Sequence, residues 1–161
     1  MPIVLIRVDE RLIHGQVIVG WGERLHVKRI VVVDDALRES AWEQELYCLG
    51  VPPGVTAEFM SVEEARAAFP GWEADEERMA LLVRNVQTLE RLADGGFLAG
   101  QEVNLGGIHS APDRTRVLPY IFLSQDEREA LRRVQESGVM VAARDLPASR
   151  LVPLGELIDG H

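Results

Sequence analysis

The composition of the chain is that of an ordinary globular protein and argues against several functional classes. It has 161 residues, of which 47% are hydrophobic and 27% charged, and its formal net charge is −9 at pH 7. A chain of this length most simply forms one domain, and we predict a single domain over residues 1–161. The negative charge argues against a general nucleic-acid binder, because no excess of cations is available to neutralise phosphates.

The sequence also constrains the cellular location. The single cysteine, Cys48, excludes an internal disulfide and suits a reducing compartment. No apolar stretch approaches the ~20 residues that a membrane span requires. The N-terminus shows neither a basic leader nor a cleavage-site pattern. We therefore expect a cytoplasmic protein.

Short apolar runs alternate with amphipathic segments along the chain. Strands are predicted at residues 3–8, 29–34, 55–60, 79–84, 102–105, 120–123 and 139–143. The runs at 30–33 and 80–83 are apolar at every position, which is typical of parallel strands covered on both faces. Residues 55–60 alternate instead, which predicts a half-exposed edge strand.

Helices are predicted between most of these strands. They cover residues 16–25, 39–49 and 153–158, and others begin after Ser61, Asn85 and Ser124. Ser61 and Ser124 each stand three residues before a glutamate, as in a capping box. The alternation of strands and helices predicts an α/β fold, a single-domain, doubly wound, open and mostly parallel sheet with helices on both faces.

The strongest candidate site lies in the segment 7–17, Arg-Val-Asp-Glu-Arg-Leu-Ile-His-Gly-Gln-Val. It places His14 in the loop between the first strand and the first helix. Ligand sites of open α/β sheets form just beyond the carboxyl ends of the strands. A neutral imidazole is a nucleophile near neutral pH, so His14 in this loop can carry a phosphoryl group.

Four neighbours of His14 can support that chemistry. Arg11 can bind phosphate oxygens through two N–H groups, and Asp9 can accept the other ring N–H and fix the tautomer. Gly15 lets the backbone approach closely, and the N–H groups at the start of the helix from Gln16 can bind phosphate oxygens. On spacing alone, the alternative is a loop histidine beside a solvated Arg–Asp pair.

A second candidate constellation, Asn-Leu-Gly-Gly-Ile-His-Ser at residues 104–110, ends another predicted strand. Gly106 and Gly107 allow a tight turn and offer N–H groups for an anion-binding nest. His109 can contact the transferred group or its acceptor. The alternative is a plain glycine turn, and the functional interpretation requires that this strand lie beside the first.

Two other kinds of site are weaker hypotheses. Asp34 and Asp35 with Asp9 would suggest a Mg²⁺-dependent aspartyl phosphate site, but no lysine ends a late strand as receiver domains require. A metal site formed by His14, His109 and Asp9 lacks the usual ligand spacing. Glycine motifs for nucleotides are also missing, so we expect no cofactor and no metal.

The segment 7–17 resembles the IIB component of the mannose/fructose/sorbose family of bacterial sugar phosphotransferase systems. That family's signature around its phosphorylated histidine reads R-(V/I)-D-(D/E)-R-L-I-H-G-Q-V, which the chain matches nearly residue for residue. The resemblance continues through residues 29–35, 104–109, 120–124 and 139–147. It therefore covers essentially the whole chain.

The resemblance implies a function and a fold. His14 would accept a phosphoryl group on Nδ1 from the phosphohistidine of a IIA protein. It would pass the group to the 6-hydroxyl of a sugar held by a membrane IIC/IID permease. Arg11 matches the family's second functional residue, which is used in transfer to the sugar. The implied fold is a mostly parallel sheet of about seven strands, and no metal or nucleotide is needed at this step.

The implied partners are the IIA phosphocarrier, the IIC/IID permease and the sugar. We expect the IIA donor to be a separate chain, and we expect the protein to associate with the inner membrane through the permease. Homo-oligomer formation stays open. The alternative function is that of a regulatory phosphocarrier, charged on the same histidine but signalling through a protein partner without sugar transport.

Overall fold

The computed structural model describes residues 3–158, which form one main sheet, a small hairpin and the helices around them. The strands are β1 (Ile3–Val8), β2 (Arg29–Val33), β3 (Thr56–Met60), β4 (Met79–Val83), β5 (Glu102–Leu105), β6 (Thr115–Leu118), β7 (Ile121–Leu123), β8 (Met140–Ala143) and β9 (Val152–Pro153). The main sheet has seven strands in the order β3-β2-β4-β1-β5-β8-β9. All its neighbours are parallel except β8 and β9, which confirms the predicted fold class.

Helices connect the strands. They are a π-helix (Gln16–Glu23), α1 (Asp35–Arg38), α2 (Ala41–Cys48), α3 (Val62–Trp72), α4 (Val86–Ala93), a 3₁₀ turn (Asp94–Gly96), α5 (Gln125–Glu136) and α6 (Leu154–Ile158). Both predicted capping boxes are confirmed, at Ser61 and at Ser124. Asn85 begins α4 as predicted, since its side chain accepts a hydrogen bond from the Thr88 N–H at 2.8 Å.

Two apolar cores lie on opposite faces of the sheet, as a doubly wound fold requires. One contains Ile6 and Val8 of β1 together with the buried side chains of α3, α4, α5 and α6. The other contains Leu5 of β1 with Val17 and Trp21 of the π-helix. β3 is an edge strand with partly exposed side chains, as the alternating pattern predicted.

One predicted strand lies outside the main sheet. Residues 120–123 were expected to join it, but β7 instead pairs antiparallel with β6 in a separate two-stranded sheet. The Phe122 N–H donates to the Ile108 carbonyl at 2.9 Å, so this hairpin packs on the loop after β5. The sheet reaches seven strands through β9, a two-residue strand that the sequence pattern did not predict.

The predicted helix at 39–49 corresponds to α2, and a separate short helix that was not predicted, α1, precedes it. Asp34 follows β2, and its carboxylate accepts a hydrogen bond from the Leu37 N–H at 2.9 Å, so a helix begins directly after the strand. Gln44 of α2 then donates from Nε2 to the carbonyls of Leu37 and Arg38, at 3.0 and 2.9 Å. These carbonyls at the end of α1 are thereby satisfied without a continuous helix.

The predicted helix at 16–25 has π geometry and ends at Glu23. The Val27 N–H reaches back to the Gly22 carbonyl at 2.9 Å, and His26 has a positive φ of 55°. That left-handed residue ends the helical path and turns the chain into β2. π-helices are rare and occur frequently at functional sites.

Candidate functional site

The two loops that the sequence singled out meet at the carboxyl edge of the sheet. β1 lies between β4 and β5, and Arg7 and Val8 pair with Asn104 and Leu105. Beyond the strands, the Glu10 N–H donates to the Gly107 carbonyl at 2.8 Å. The condition set for the second constellation, a strand beside the first, is therefore met.

Asp9 is the centre of the site, and its side chain is fully buried. Its Oδ1 accepts from the Arg11 backbone N–H and from Arg11 Nε, both at 3.0 Å. Its Oδ2 accepts from Arg11 Nη2 at 3.0 Å and from Arg7 Nε at 3.3 Å. The same Oδ2 lies 3.3 Å from His14 Nε2. One carboxylate therefore fixes two guanidinium groups and the imidazole.

Asp9 is held in its ionised form. Burial raises the pKa of this carboxyl, but the hydrogen bonds from His14 and from the side chain and backbone of Arg11 outweigh burial, so its pKa lies well below its ordinary value. A permanent negative charge beside Nε2 favours the tautomer with the proton on that nitrogen.

His14 is partly open to solvent. Its side chain is 17% exposed. Within residues 3–158, the structure records a partner for Nε2 and none for Nδ1. With the proton on Nε2, the lone pair of the ring is on Nδ1. The anchored nitrogen and the nucleophilic nitrogen are therefore different atoms of one ring.

The π-helix begins directly after His14. Gly15 precedes its first turn, with open space where a side chain would be. In the described part of the chain, the backbone N–H groups of Gly15 and Gln16 have no recorded hydrogen-bond acceptor. Free N–H groups at a helix N-terminus bind anions. The loop thus offers unpaired donors next to the His14 ring.

Arg11 forms a two-pronged contact with Asp9 and extends toward the helix. Its Nη1 donates to Oε1 of Gln16 at 3.1 Å, so the Gln16 side chain also contacts the site. Arg11 is only partly buried. A charged, planar and partly exposed guanidinium at this position can donate to an anionic group bound beside the ring.

Gly106 and Gly107 lie against the two arginines of the site. Neither has a positive φ. The Gly106 N–H donates to the Val8 carbonyl at 2.7 Å, and the Gly107 N–H bonds to Asp9. Anion binding by these two N–H groups therefore stays a prediction. Side chains here would collide with Arg7 at 106 and crowd Arg11 at 107, so both glycines give the guanidinium groups their space.

His109 reaches the site only through its backbone. Its N–H donates to Oε1 of Glu10, while the exposed ring has no recorded hydrogen bond or ion pair within residues 3–158. Arg114 joins the same carboxylate at 2.8 Å and also binds the buried Glu127 through Nε and Nη2, at 2.9 and 2.8 Å. This network ties the loop after β1 to the N-terminus of α5.

Sequence reasoning gave no role to Arg7, although the structure makes it a main support of the site. Arg7 is completely buried, and burial lowers its pKa while Asp9 opposes that shift. It donates to the Asn104 side chain and to the carbonyls of Arg144 and Asp145, the latter two at 2.8 and 3.1 Å. The available signal was a lone arginine in an otherwise apolar strand, because a charged residue is almost never buried unless it is paired.

The described residues contain neither a metal-binding cluster nor a membrane-spanning helix. No group of three or more His, Cys, Asp or Glu side chains in residues 3–158 is arranged to hold a metal ion. Over the same residues, no helix is long and apolar enough to cross a membrane.

Comparison with known proteins identifies a family. The model of the sorbose subfamily IIB component of phosphotransferase systems matches residues 3–161. The mannose-specific EIIAB component of Escherichia coli K12 is 31% identical over 158 residues, which are 98% of this chain and 49% of that protein. The chain thus spans about half the length of this relative.

Solved structures of related proteins share this fold over nearly the full chain. The crystal structure of manxB from Thermoanaerobacter tengcongensis has 32% sequence identity and a TM-score of 0.86, covering 99% of this chain and 96% of that one. The IIBSor domain of the sorbose permease from Klebsiella pneumoniae has 25% identity and a TM-score of 0.88, covering 99% and 98%. The chain belongs to the sorbose subfamily of phosphotransferase-system IIB components.

Proposed function

We propose that this protein is a phosphohistidine carrier in sugar uptake, charged on His14 by a IIA protein and discharged to a sugar held by a IIC/IID permease. The observation that carries the proposal is that the two ring nitrogens of His14 have different environments. Asp9 binds Nε2, and Nδ1 is left as the nucleophile beside unpaired N–H donors of Gly15 and Gln16. The family membership supports the same assignment.

The chemistry consists of two displacements at phosphorus. In the first, the P–N bond to the donor's histidine breaks and a P–N bond to His14 Nδ1 forms. In the second, a sugar hydroxyl attacks the phosphorus, the bond to Nδ1 breaks, and the hydroxyl proton is released as the sugar phosphate forms. The ring returns to its neutral state with its Nε2 proton still held by Asp9.

Charge stabilisation comes from Arg11 and the helix start. The phosphoryl oxygens carry negative charge throughout both steps, and fixed donors aimed at them lower the barrier. Gly15 and Gln16 supply backbone N–H groups in both steps, and Arg11 supplies a planar guanidinium that acts chiefly in the transfer to the sugar. Asp9 binds the ring at Nε2, the nitrogen that does not carry the phosphorus. Its negative charge also offsets the positive charges of Arg7 and Arg11.

The test is a charging reaction followed by site mapping. The protein is incubated with phosphoenolpyruvate, the general phosphotransferase proteins and the IIA protein, and its mass is measured. We expect a gain of one phosphoryl group that is acid-labile, alkali-stable and mapped to His14. The matched variants are His14→Ala, which should gain nothing, and His109→Ala, which should be charged like the wild type.

Two outcomes would contradict the proposal. A hydroxylamine-sensitive adduct on an aspartate would indicate an acyl phosphate in place of a phosphohistidine. A charged protein that keeps its phosphoryl group when membranes with IIC/IID and sugar are added would show that charging serves a regulatory role without sugar transport.

A further inference from the structure

α2 and its C-cap residue present three large apolar side chains to solvent. Trp42, Leu46 and Leu49 are 69%, 59% and 83% exposed, and no residue of the helix is buried. Their spacing of four and three residues places them on one side of the helix, where they form a continuous stripe. We call these three residues the α2 face. Monomeric proteins rarely expose clustered apolar side chains unless something covers them in function.

The C-terminal end of α2 leads to a contact with the loop that carries His14. A Cβ on Gly50, just past the end of α2, would sit 3.9 Å from Cγ2 of Ile13, the residue before His14. Tyr47 of α2 and Val51 pack on the same core as Leu12 and Ile13. A protein interface of standard size covers about 800 Å² per partner, which is the area of a disc with a radius of roughly 16 Å. A partner centred on His14 therefore overlies the C-terminal part of α2.

The rim of the α2 face is acidic. Glu39, Glu43 and Glu45 lie before or within α2, and none has an ion pair recorded among residues 3–158. The one basic residue of that stretch, Arg38, already pairs with Glu64 at 2.8 Å. The surface that fits this arrangement is an apolar groove bordered by Lys and Arg side chains.

This chemistry favours one of the two partners that must approach His14. The cytoplasmic loops of membrane proteins carry an excess of Lys and Arg, because basic segments are retained on that side. A permease therefore offers basic loops around the apolar elements of its cytoplasmic surface. Nothing comparable requires a water-soluble phosphoryl donor to be basic.

We propose that the α2 face, with its acidic rim, is the docking surface for the cytoplasmic side of the membrane permease. The inference rests on the proposed function, since it assumes that His14 delivers its phosphoryl group to a sugar at that permease. In this arrangement, Trp42 and Leu46 enter the apolar groove while Glu43 and Glu45 pair with basic loop residues. Docking then brings phosphorylated Nδ1 over the bound sugar.

The experiment separates the two half-reactions in the Trp42→Gln/Leu46→Gln variant. Charging by the IIA protein is followed by mass, and discharge is followed by adding the charged protein to inverted membrane vesicles with the IIC/IID permease and sugar. We expect charging rates within twofold of the wild type. We expect discharge at limiting protein concentration to fall at least tenfold through a raised KM, with the rate at saturation largely kept.

The matched control is Met140→Gln. Met140 is also 59% exposed, but it is the first residue of β8. It therefore lies at the amino-terminal ends of the parallel strands, whereas His14 lies beyond their carboxyl ends. This variant should charge and discharge like the wild type. Because the substituted side chains are exposed, all variants should show the wild-type denaturation curve.

A second arm tests the acidic rim. Glu43→Gln/Glu45→Gln should discharge more slowly at low salt and lose much of the salt dependence of discharge, because the attraction between exposed charges is screened by ions. Unchanged discharge in the apolar variant overturns the proposal. Loss of charging in that variant also overturns it, since the face would then bind the donor. Failure of the wild type itself to be charged at His14 would contradict the proposed function and not the docking surface.

Discussion

The guanidinium of Arg7 occupies the space where a side chain on residue 106 would begin. A Cβ on Gly106 would overlap Cζ, Nη2 and Nε of Arg7, whereas Gly15, in the same site, has open space at that position. Arg7 in turn binds Asp9, and Asp9 binds the ring of His14. A glycine in the loop after β5 therefore controls the orientation of a histidine in the loop after β1.

Gly106→Ala should consequently damage both stability and charging. Displacing a buried guanidinium from its partners is overpacking in the core, which typically costs about 1–3 kcal/mol. We expect a loss of about 2 kcal/mol in the free energy of unfolding, measured by urea denaturation, and slower charging of His14. Gly15→Ala is the control and should change stability by less than about 0.5 kcal/mol. Equal effects of the two substitutions would refute this account of Gly106.

Asp9→Asn tests the role of the buried carboxylate and makes a pH-dependent prediction. Removing one partner of a buried ion pair leaves Arg7 without its counter-charge, which costs about 3–5 kcal/mol. We expect a loss of about 3 kcal/mol in the free energy of unfolding at pH 7. Charging of His14 should slow as well, because the ring loses its anchor.

The sign of the pH dependence follows from the lowered pKa of Asp9. A carboxyl whose pKa is lower in the folded protein stabilises the fold above its unfolded pKa, about 3.8, and loses that contribution as the pH falls toward the folded value. The stability difference between wild type and Asp9→Asn should be constant from pH 5 to 7. It should shrink by about 1 kcal/mol per pH unit below 3.8. A difference that is the same at pH 3 and pH 7 would contradict the ionised state of Asp9.

Arg11→Lys should separate charging from discharge. Lysine keeps the positive charge but loses the planar fork that contacts both oxygens of Asp9 and reaches Gln16. We expect the charging rate to stay within about threefold of the wild type. We expect discharge to the sugar to slow at least tenfold, which corresponds to an activation barrier higher by about 1.4 kcal/mol. Single-turnover transfer from the charged protein measures this. An equal loss in both steps would show that Arg11 does not act selectively in transfer to the sugar.

Arg114→Met should loosen the loop that carries the site. Arg114 binds Glu10 and the buried Glu127, so its removal leaves the Glu127 carboxylate with the Ser124 N–H as a donor but without a counter-charge. We expect about 2–3 kcal/mol of destabilisation in urea denaturation. Arg133→Met, which removes the exposed pair with Glu90, should cost less than about 1 kcal/mol. If both substitutions have the same small effect, the Arg114 network does not stabilise the loop.

Much of the fold was predictable because local patterns agreed with the tertiary arrangement. The apolar runs at β2 and β4 are fully covered strands, and the capping boxes begin α3 and α5 where the sequence placed them. Local patterns were less informative where an element is short or pairs outside the main sheet. β9 has only two residues. β7 pairs with β6 in its own hairpin and with the loop at Ile108, and it does not join the main sheet.

For the site, the sequence alone determined which residue types stand around His14 and in what order, because the motif from Arg7 to Val17 is local. Only the tertiary structure decided which ring nitrogen is held, since that depends on the burial of Asp9 and on the hydrogen bonds it collects. It also decided why residues 106 and 107 are glycines. Their partners, Arg7 and Arg11, lie about a hundred positions away in the chain and come close only because β1 pairs with β5.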